Sequence, residues 1–174
     1  MKRISMRRLQ AILLLTVVVL HSTGALAGTT TGSLTVTATV SSACSLSSGG
    51  GTLSFGTYDS INTNASSPLL QVSSFQLQCT NGTNATITLG QGQNPSAGSQ
   101  DSAPLRNMTD GQQHYLNYQL YTTAARKAVW DNQTGVTQLA TGTMQTLYVY
   151  GSIPGGQNLP AGTYTDTVVI TVSY

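Results

Sequence analysis

Few side chains in this sequence could carry out acid–base chemistry. The 174 residues include two histidines and five aspartates but no glutamate, and after residue 27 the remaining histidine is His114. A Ser–His–Asp triad would need a marked nucleophile, and no Gly-x-Ser-x-Gly turn occurs. His114 follows Gly111-Gln112-Gln113 at the start of a predicted strand, which is typical of a solvated turn residue.

The aspartates are no better placed for catalysis. Glycoside hydrolysis would require two of the five carboxylates to converge on one bond. Asp59 and Asp166 adjoin predicted strands, whereas Asp101, Asp110 and Asp131 lie in turn-rich stretches. The sequence therefore predicts a protein that is not an enzyme, with no catalytic residues, no metal site and no cofactor.

Cys44 and Cys79 are the only two cysteines. Two thiols exclude a multi-cysteine zinc or iron–sulfur site, and their wide spacing is unlike the Cys-x-x-Cys arrangement that tunes a redox pair. In an oxidising compartment we expect one structural disulfide. Closing a loop of about 35 residues would stabilise the fold by roughly 3–4 kcal/mol in the chain-entropy model.

The positive charge is concentrated at the N-terminus. Four of the seven basic residues lie in the first eight positions, followed by an apolar run at 11–20 and then Ala25-Leu26-Ala27. This order is typical of a secretory signal peptide at 1–27, cleaved after Ala27. A run of about ten apolar residues spans only about 15 Å as a helix, too short for a membrane anchor.

The predicted mature chain, residues 28–174, keeps three basic and five acidic residues. It is therefore sparsely charged and slightly acidic, which excludes a basic surface for nucleic acid. We expect a single domain over this range, because no linker or internal repeat divides it.

Alternation of apolar and polar residues is the main structural signal. Seven strands are predicted, at residues 33–40, 52–58, 72–79, 83–89, 114–122, 143–150 and 163–174. Turn-rich stretches separate them at 47–51, 62–68, 90–104, 124–142 and 151–162. The pattern predicts an all-β fold, an immunoglobulin-like sandwich, with a small barrel as the alternative. Aromatic residues at strand spacing, among them Trp130, Tyr148 and Tyr150, are more often core than surface.

The first and the last predicted strands have the sequence features of strands that pair with another chain. The run at 33–40 contains no Lys, Glu or Pro to discourage edge pairing, and the strongest alternation continues to Tyr174. Seven residues, 34–40, would span about 23 Å as a strand. A sandwich with such a first strand could polymerise head to tail, whereas the alternative is an ordinary strand within its own sheet.

Short motifs in a characteristic order resemble those of the spore coat U domain family, which includes the pilins of archaic, Csu-type chaperone–usher pili. In the first half they are Thr31-Gly32, the alternating Leu34 to Val40, Cys44, Leu53-Ser54-Phe55-Gly56-Thr57-Tyr58, and Cys79 with Gly82, Ile87 and Leu89. In the second half they are Arg106-Asn107-Met108, Tyr118 to Tyr121, Arg126, Trp130, Val149-Tyr150-Gly151, Ile153-Pro154, Gln157, Gly162, Tyr164 to Val168, and Val172 to Tyr174.

The resemblance implies an incomplete sandwich that lacks its last strand. A periplasmic pilus chaperone would lend a strand to the groove and deliver the subunit to an outer-membrane usher, where the N-terminal segment of another pilin subunit replaces it. Residues 28–40 are then the candidate donor segment, and its inserted side chains, the donor knobs, are Leu34, Val36, Ala38 and Val40. The C-terminal strand would border the groove with Tyr164, Val168, Ile170, Val172 and Tyr174.

On this interpretation the protein is a structural subunit of a secreted surface pilus that supports adhesion or biofilm formation. It would pass through the periplasm to the cell surface. Burial of each large donor side chain would contribute roughly 1.5–3 kcal/mol, so assembly needs no nucleotide or other cofactor. The alternatives are a secreted spore-coat or matrix protein of the same fold and a tip adhesin that binds a surface or a sugar.

Overall fold

A computed structural model describes residues 27–47 and 50–174 of the chain. The predicted signal peptide lies almost entirely outside this part. The chain divides into two units, one ending at Ala38 and the other running from Thr39 to Tyr174. In the first unit, the described residues from 27 onward form no strand, and all of them from 28 are exposed.

The second unit is a two-sheet β-sandwich whose described residues contain eight strands and no α-helix. The strands are β1 (Cys44–Leu46), β2 (Leu69–Cys79), β3 (Asn84–Leu89), β4 (Arg106–Thr109), β5 (Tyr115–Tyr121), β6 (Val136–Leu139), β7 (Gln145–Ile153) and β8 (Ile170–Ser173). One sheet has the order β1-β2-β7-β5-β4 and the other β6-β3-β8, with every pair antiparallel. Two separate sheets make this a sandwich rather than the alternative barrel.

Alternation decides which side chains form the core between the sheets. On β2 the side chains of Phe75, Leu77 and Cys79 are buried, and on β3 those of Ala85, Ile87 and Leu89 are buried. The burial alternates along both strands, as the alternation in the strands predicted at 72–79 and 83–89 requires. The longest pairing joins β2 to β7 from Leu69–Ile153 to Leu77–Gln145, and it forms the centre of the larger sheet.

The prediction was wrong for three extended segments. Residues 33–40, 52–58 and 163–169 alternate in sequence, but none of these three ranges contains a regular strand. Thr165 alone forms an isolated bridge, with Thr109. Alternation fixes which way side chains point, whereas a strand also needs a hydrogen-bonding neighbour, which these segments lack along most of their length.

Sequence reasoning also missed three short strands. β4 reads Arg-Asn-Met-Thr and has no apolar alternation, and β1 is only three residues long. β6 lies inside the stretch at 124–142 that was predicted to be turns, and β7 continues through Gly151 into another such stretch. Tertiary pairing, rather than local pattern, defines these elements.

The predicted aromatic core is only partly correct. Trp130 is fully buried, and its indole N–H donates to the carbonyl of Ile87 at 2.9 Å. Tyr148 is exposed and Tyr150 is half-buried on the outer face of β7, where their rings lie 6.5 Å apart. On that strand the apolar residues in the core are Leu147, Val149 and Ile153.

The disulfide joins the edge strand β1 to β2. The sulfurs of Cys44 and Cys79 are bonded at 2.02 Å, and the two residues face each other directly across the strand pair. Cys44 begins its strand, which lies after the strand predicted at 33–40. The bond thereby holds a three-residue strand whose few ladder hydrogen bonds would stabilise it only weakly.

A buried arginine connects the two sheets. Arg106 at the start of β4 is 1% exposed, and its guanidinium donates to the carbonyls of Leu89, Gly90 and Trp130 and to the side chain of Gln119. Burial lowers the pKa of Arg106 to about 10, so the group stays cationic at neutral pH. No carboxylate in the described residues forms an ion pair with it, and carbonyl dipoles compensate the charge.

The two arginines provide a matched test of this connection. Arg126 also donates to backbone carbonyls, those of Gly151, Gln71 and Ala124, but it is only half-buried. We predict that Arg106→Leu lowers the free energy of unfolding by at least about 3 kcal/mol, because several buried acceptors lose their donor. Arg126→Leu should lower the free energy of unfolding by only about 1 kcal/mol. Urea unfolding followed by Trp130 fluorescence measures both, and equal losses would contradict the special role of Arg106.

Candidate functional site

A long cleft opens between two extended segments of the sandwich. Residues 51–60 form one wall, and residues 159–166 with Val168 and Ile170 form the other. Its volume is about 970 Å³. The floor consists of core side chains from both sheets, which are Phe75, Leu89, Leu116, Tyr118, Leu120, Val149 and Ile153. The cleft therefore runs along the hydrophobic core, whose floor side chains stay buried beneath it.

The C-terminal wall keeps a regular alternation although most of it is not a strand. Even-numbered residues from 164 to 172 are half-buried, and the odd-numbered residues between them are exposed. Of the predicted groove-border residues, Tyr164, Val168 and Ile170 line the cleft. Val172 packs against the core from β8, and Tyr174 is exposed and does not line the cleft.

The backbone of this wall has one unpaired edge. Among the described strands, β8 is the last of its sheet and pairs only with β3, and the N–H of Gly90 donates to the carbonyl of Val169 at 2.9 Å. In an antiparallel pair, alternate residues direct their N–H and C=O groups toward the neighbour and away from it. The backbone groups of Val168, Ile170 and Val172 therefore point to the open side.

The opposite wall was predicted to be a strand and is an extended segment with two inward side chains. Phe55 is buried, with its ring 6.3 Å from that of Tyr118, and Leu53 is half-buried. Gly151 on β7 provides the space, because a Cβ atom there would lie 2.6 Å from the Phe55 ring. The Tyr58 hydroxyl donates to the carbonyl of Pro154 at 2.9 Å and holds the far end of the segment.

One carboxylate, Asp166, lies where the C-terminal wall meets the neighbouring loop. It accepts hydrogen bonds from the Tyr118 hydroxyl at 2.6 Å, the Gln93 N–H at 2.9 Å and the Asn94 side chain at 3.2 Å. Burial, together with the Asp166 carboxylate, raises the pKa of Tyr118, so its hydroxyl keeps the proton that it donates. Asp166 thus fixes the wall to the loop and to β5.

Two other aspartates, Asp131 and Asp59, hold turns. Asp131 accepts the N–H groups of residues 133, 134 and 135; burial raises its pKa, but these donors outweigh that effect and lower the pKa below the ordinary value. Hydrogen bonds from Asn62 and Ile61 lower the pKa of Asp59 in the same way. Each carboxylate has a local structural task.

His114 and Asp110 form the one acidic–basic pair in the described residues. The His114 Nδ1 atom lies 2.6 Å from the Asp110 Oδ2 atom across the β4–β5 turn, and the histidine side chain is 40% exposed. No cluster of three or more His, Cys, Asp or Glu side chains that could hold a metal occurs among the residues described.

The predicted donor knobs lie in the exposed N-terminal stretch. Leu34 and Val36 are 87% and 83% exposed, and Ala38 and Val40 are exposed as well. A row of exposed apolar side chains at this spacing is unusual in a segment that binds no other chain. In the part of the chain that the structure describes, no helix has the length and apolarity needed to cross a membrane.

Sequence reasoning missed that residues 51–60 form one wall of the cleft, and it missed the hydrogen bonds of Asp166 on the other wall. The alternation at 52–58 correctly orients Leu53 and Phe55 inward, but nothing local indicates that the segment borders an open cleft. The contact of Asp166 with Tyr118 and Asn94 joins residues that are far apart in sequence, so no spacing could reveal it.

Known proteins are similar to this chain in sequence and in fold. The Spore Coat Protein U domain family matches residues 30–171. Protein U of Myxococcus xanthus is 46% identical over 155 residues, which are 85% of this chain and 87% of that protein.

The fold is similar to part of a crystal structure of the CsuC–CsuE chaperone–tip adhesion subunit pre-assembly complex from archaic chaperone–usher Csu pili of Acinetobacter baumannii. The TM-score is 0.50 at 22% identity, with 78% of this chain and 40% of that chain covered. The sequence match spans most of the chain, and the relative is similar over nearly its whole length. The chain therefore belongs to the Spore Coat Protein U domain family and is a structural protein rather than an enzyme.

Proposed function

We propose that this protein is a structural subunit of a surface pilus and that it polymerises by donor-strand exchange. The observation that carries the proposal is the open cleft, which lies over core side chains between two extended segments. A strand placed there would pair with the open backbone edge at 168–172 and cover the core side chains on the floor.

The N-terminal segment of a second copy has the properties that the cleft requires. Its donor knobs at 34, 36, 38 and 40 recur every second residue, as do the inward positions of the cleft wall at 164, 166, 168 and 170. Successive positions on one face of a strand are about 6.6 Å apart, so the two series run in step. The segment has no charged side chain, so its burial carries no charge-desolvation cost.

A subunit with an open apolar cleft and an unpaired strand edge needs protection before assembly. We infer that a periplasmic chaperone lends a strand to the cleft and that an outer-membrane usher exchanges it for the donor segment, after export and cleavage following Ala27. The similarity to a tip adhesion subunit held in a pre-assembly complex with its chaperone supports this route. Adhesion or biofilm formation is the corresponding role at the cell surface.

A second candidate is a coat protein of the same fold. It is favoured by the family description and by the 46% identity to Protein U. Both candidates use the same cleft, so they differ in where the polymer is deposited. Immunogold labelling of intact cells distinguishes them, since a pilus subunit appears on filaments and a coat protein in a continuous layer.

Amide exchange tests the open edge. We predict that in dilute, freshly released subunit the N–H groups of Ile170 and Val172 exchange at least about tenfold faster than that of Thr171, because only the latter faces β3. In the assembled polymer all three should be protected. Hydrogen exchange read by NMR or fragmentation mass spectrometry gives the rates, and equal protection of the three in the free subunit would contradict an unpaired edge.

A charge on one face of the donor segment tests the exchange. We predict that Val36→Asp abolishes polymerisation while leaving the subunit folded with its chaperone, because a carboxylate would have to be buried. Thr35→Asp is the matched control, since in a donor strand with Val36 facing the cleft of the accepting subunit its side chain would face away, and it should assemble at a rate near that of the parent protein. Electron microscopy and sedimentation give the measurement. Normal filaments from the Val36 variant would overturn the donor assignment.

Chaperone dependence is a separate expectation. The mature protein produced alone should aggregate or self-polymerise, and co-production with its cognate chaperone should yield a soluble one-to-one complex. Size-exclusion chromatography with light scattering measures both. A stable monomer without chaperone would count against an open cleft in solution.

A further inference from the structure

A second pocket lies apart from the cleft, on the outer face of the β4–β5 hairpin. Loop residues 93–97 cover this face, and Asn107, Tyr115 and Asn117 complete the lining of a volume of about 610 Å³. We call it the polar pocket. It shares no lining residue with the cleft, and it lies within the range of about 300–1,000 Å³ that is usual for small-ligand sites.

Strand pairing brings the three hairpin side chains together. Asn107 is paired with Asn117, and Thr109 with Tyr115, so the polar residues share the face opposite to that of buried Arg106. Asn107 is only 5% exposed, and its Nδ2 atom donates to the Ser96 Oγ atom at 2.8 Å. Its Oδ1 atom is buried and has no hydrogen-bond partner among the residues that the structure describes. A buried acceptor that stays unsatisfied destabilises a fold and is uncommon in native structures.

The side-chain carboxamides of Asn117 and Gln93 are free, because the hydrogen bonds that hold these two residues use their backbone groups. The Asn117 N–H donates to the Gln157 Oε1 atom at 2.8 Å, and the Gln157 side chain returns a bond to the Asn117 carbonyl. The Gln93 N–H donates to Asp166. Within the described residues, neither the Asn117 nor the Gln93 side chain makes a hydrogen bond, so both can bind a ligand.

The loop is held in place by hydrogen bonds at both ends. Asp166 accepts from the Gln93 N–H and the Asn94 side chain, and the Ser96 N–H donates to the Leu105 carbonyl at 2.9 Å. A site fixed in this way loses little conformational freedom when it binds.

The lining of the polar pocket is uncharged and rich in carboxamides, and this composition indicates the class of ligand. No lining side chain is charged, so nothing compensates the charge of an ion, and Asp166 behind Asn94 would repel an anion. Carboxamides offer a donor and an acceptor side by side, which matches vicinal hydroxyl groups. Tyr115 is 46% exposed and presents an aromatic face to C–H groups. We propose that the polar pocket binds a neutral saccharide of one or two rings.

The test uses the assembled full chain on a printed array of neutral and sialylated glycans. We expect binding to neutral glycans and none to their sialylated forms. Tyr115→Ala should weaken the binding at least tenfold. Tyr148→Ala is the matched control, since this tyrosine is 55% exposed on the outer sheet face but does not line the pocket, and it should bind like the parent protein.

Asn117→Asp provides a variant that keeps size and shape while adding a negative charge, and it should also reduce binding at least tenfold. Trp130 fluorescence confirms that each variant is folded. Failure to bind any neutral glycan, a preference for sialylated ones, or equal binding by the Tyr115 variant would overturn the proposal. Filament formation by the same variants is scored separately and should be unaffected.

Discussion

A sandwich core must be covered by backbone along every edge, and in this protein one stretch of that cover is missing. Leu89, Tyr118 and Val149 belong to the core and also form the floor of an open cleft. The two segments beside the cleft are extended and correctly oriented, yet in the described residues they lack a strand neighbour along most of their length. This unfilled position explains the half-buried C-terminal side chains, the unpaired edge of β8 and the absence of strands where the sequence alternates best.

The remaining structure is fastened by contacts that do not depend on the missing cover. Arg106 joins β4 to the end of β3 and to the Trp130 loop, and the disulfide joins β1 to β2. Asp166 attaches the cleft wall to β5 and to the loop of the polar pocket. The fold can therefore hold an open core in one place because polar and covalent contacts fix the frame around it.

Much of this architecture could be predicted from the sequence, and its limits have a physical cause. Alternation identified β2, β3, β5 and β7 and the inward faces of Leu53 and Phe55, because side-chain direction is a local property. It assigned strands at 33–40 and 52–58, where none forms, because pairing depends on a neighbour that sequence does not display. β4 and the contacts of Arg106 and Asp166 were missed for the same reason, since they join distant residues.

The position of the disulfide has a mechanical consequence. Cys44 lies four residues after Val40, the last predicted knob, and is bonded to Cys79 at the end of the longest strand. Tension applied through the N-terminal segment would pass through the disulfide into β2 of the larger sheet. The hydrogen bonds between the three residues of β1 and their partners on β2 would not have to carry it. In a fibre built by strand exchange, each subunit would resist pulling at its entry point with a covalent bond, and the weakest link would be the strand held in the cleft.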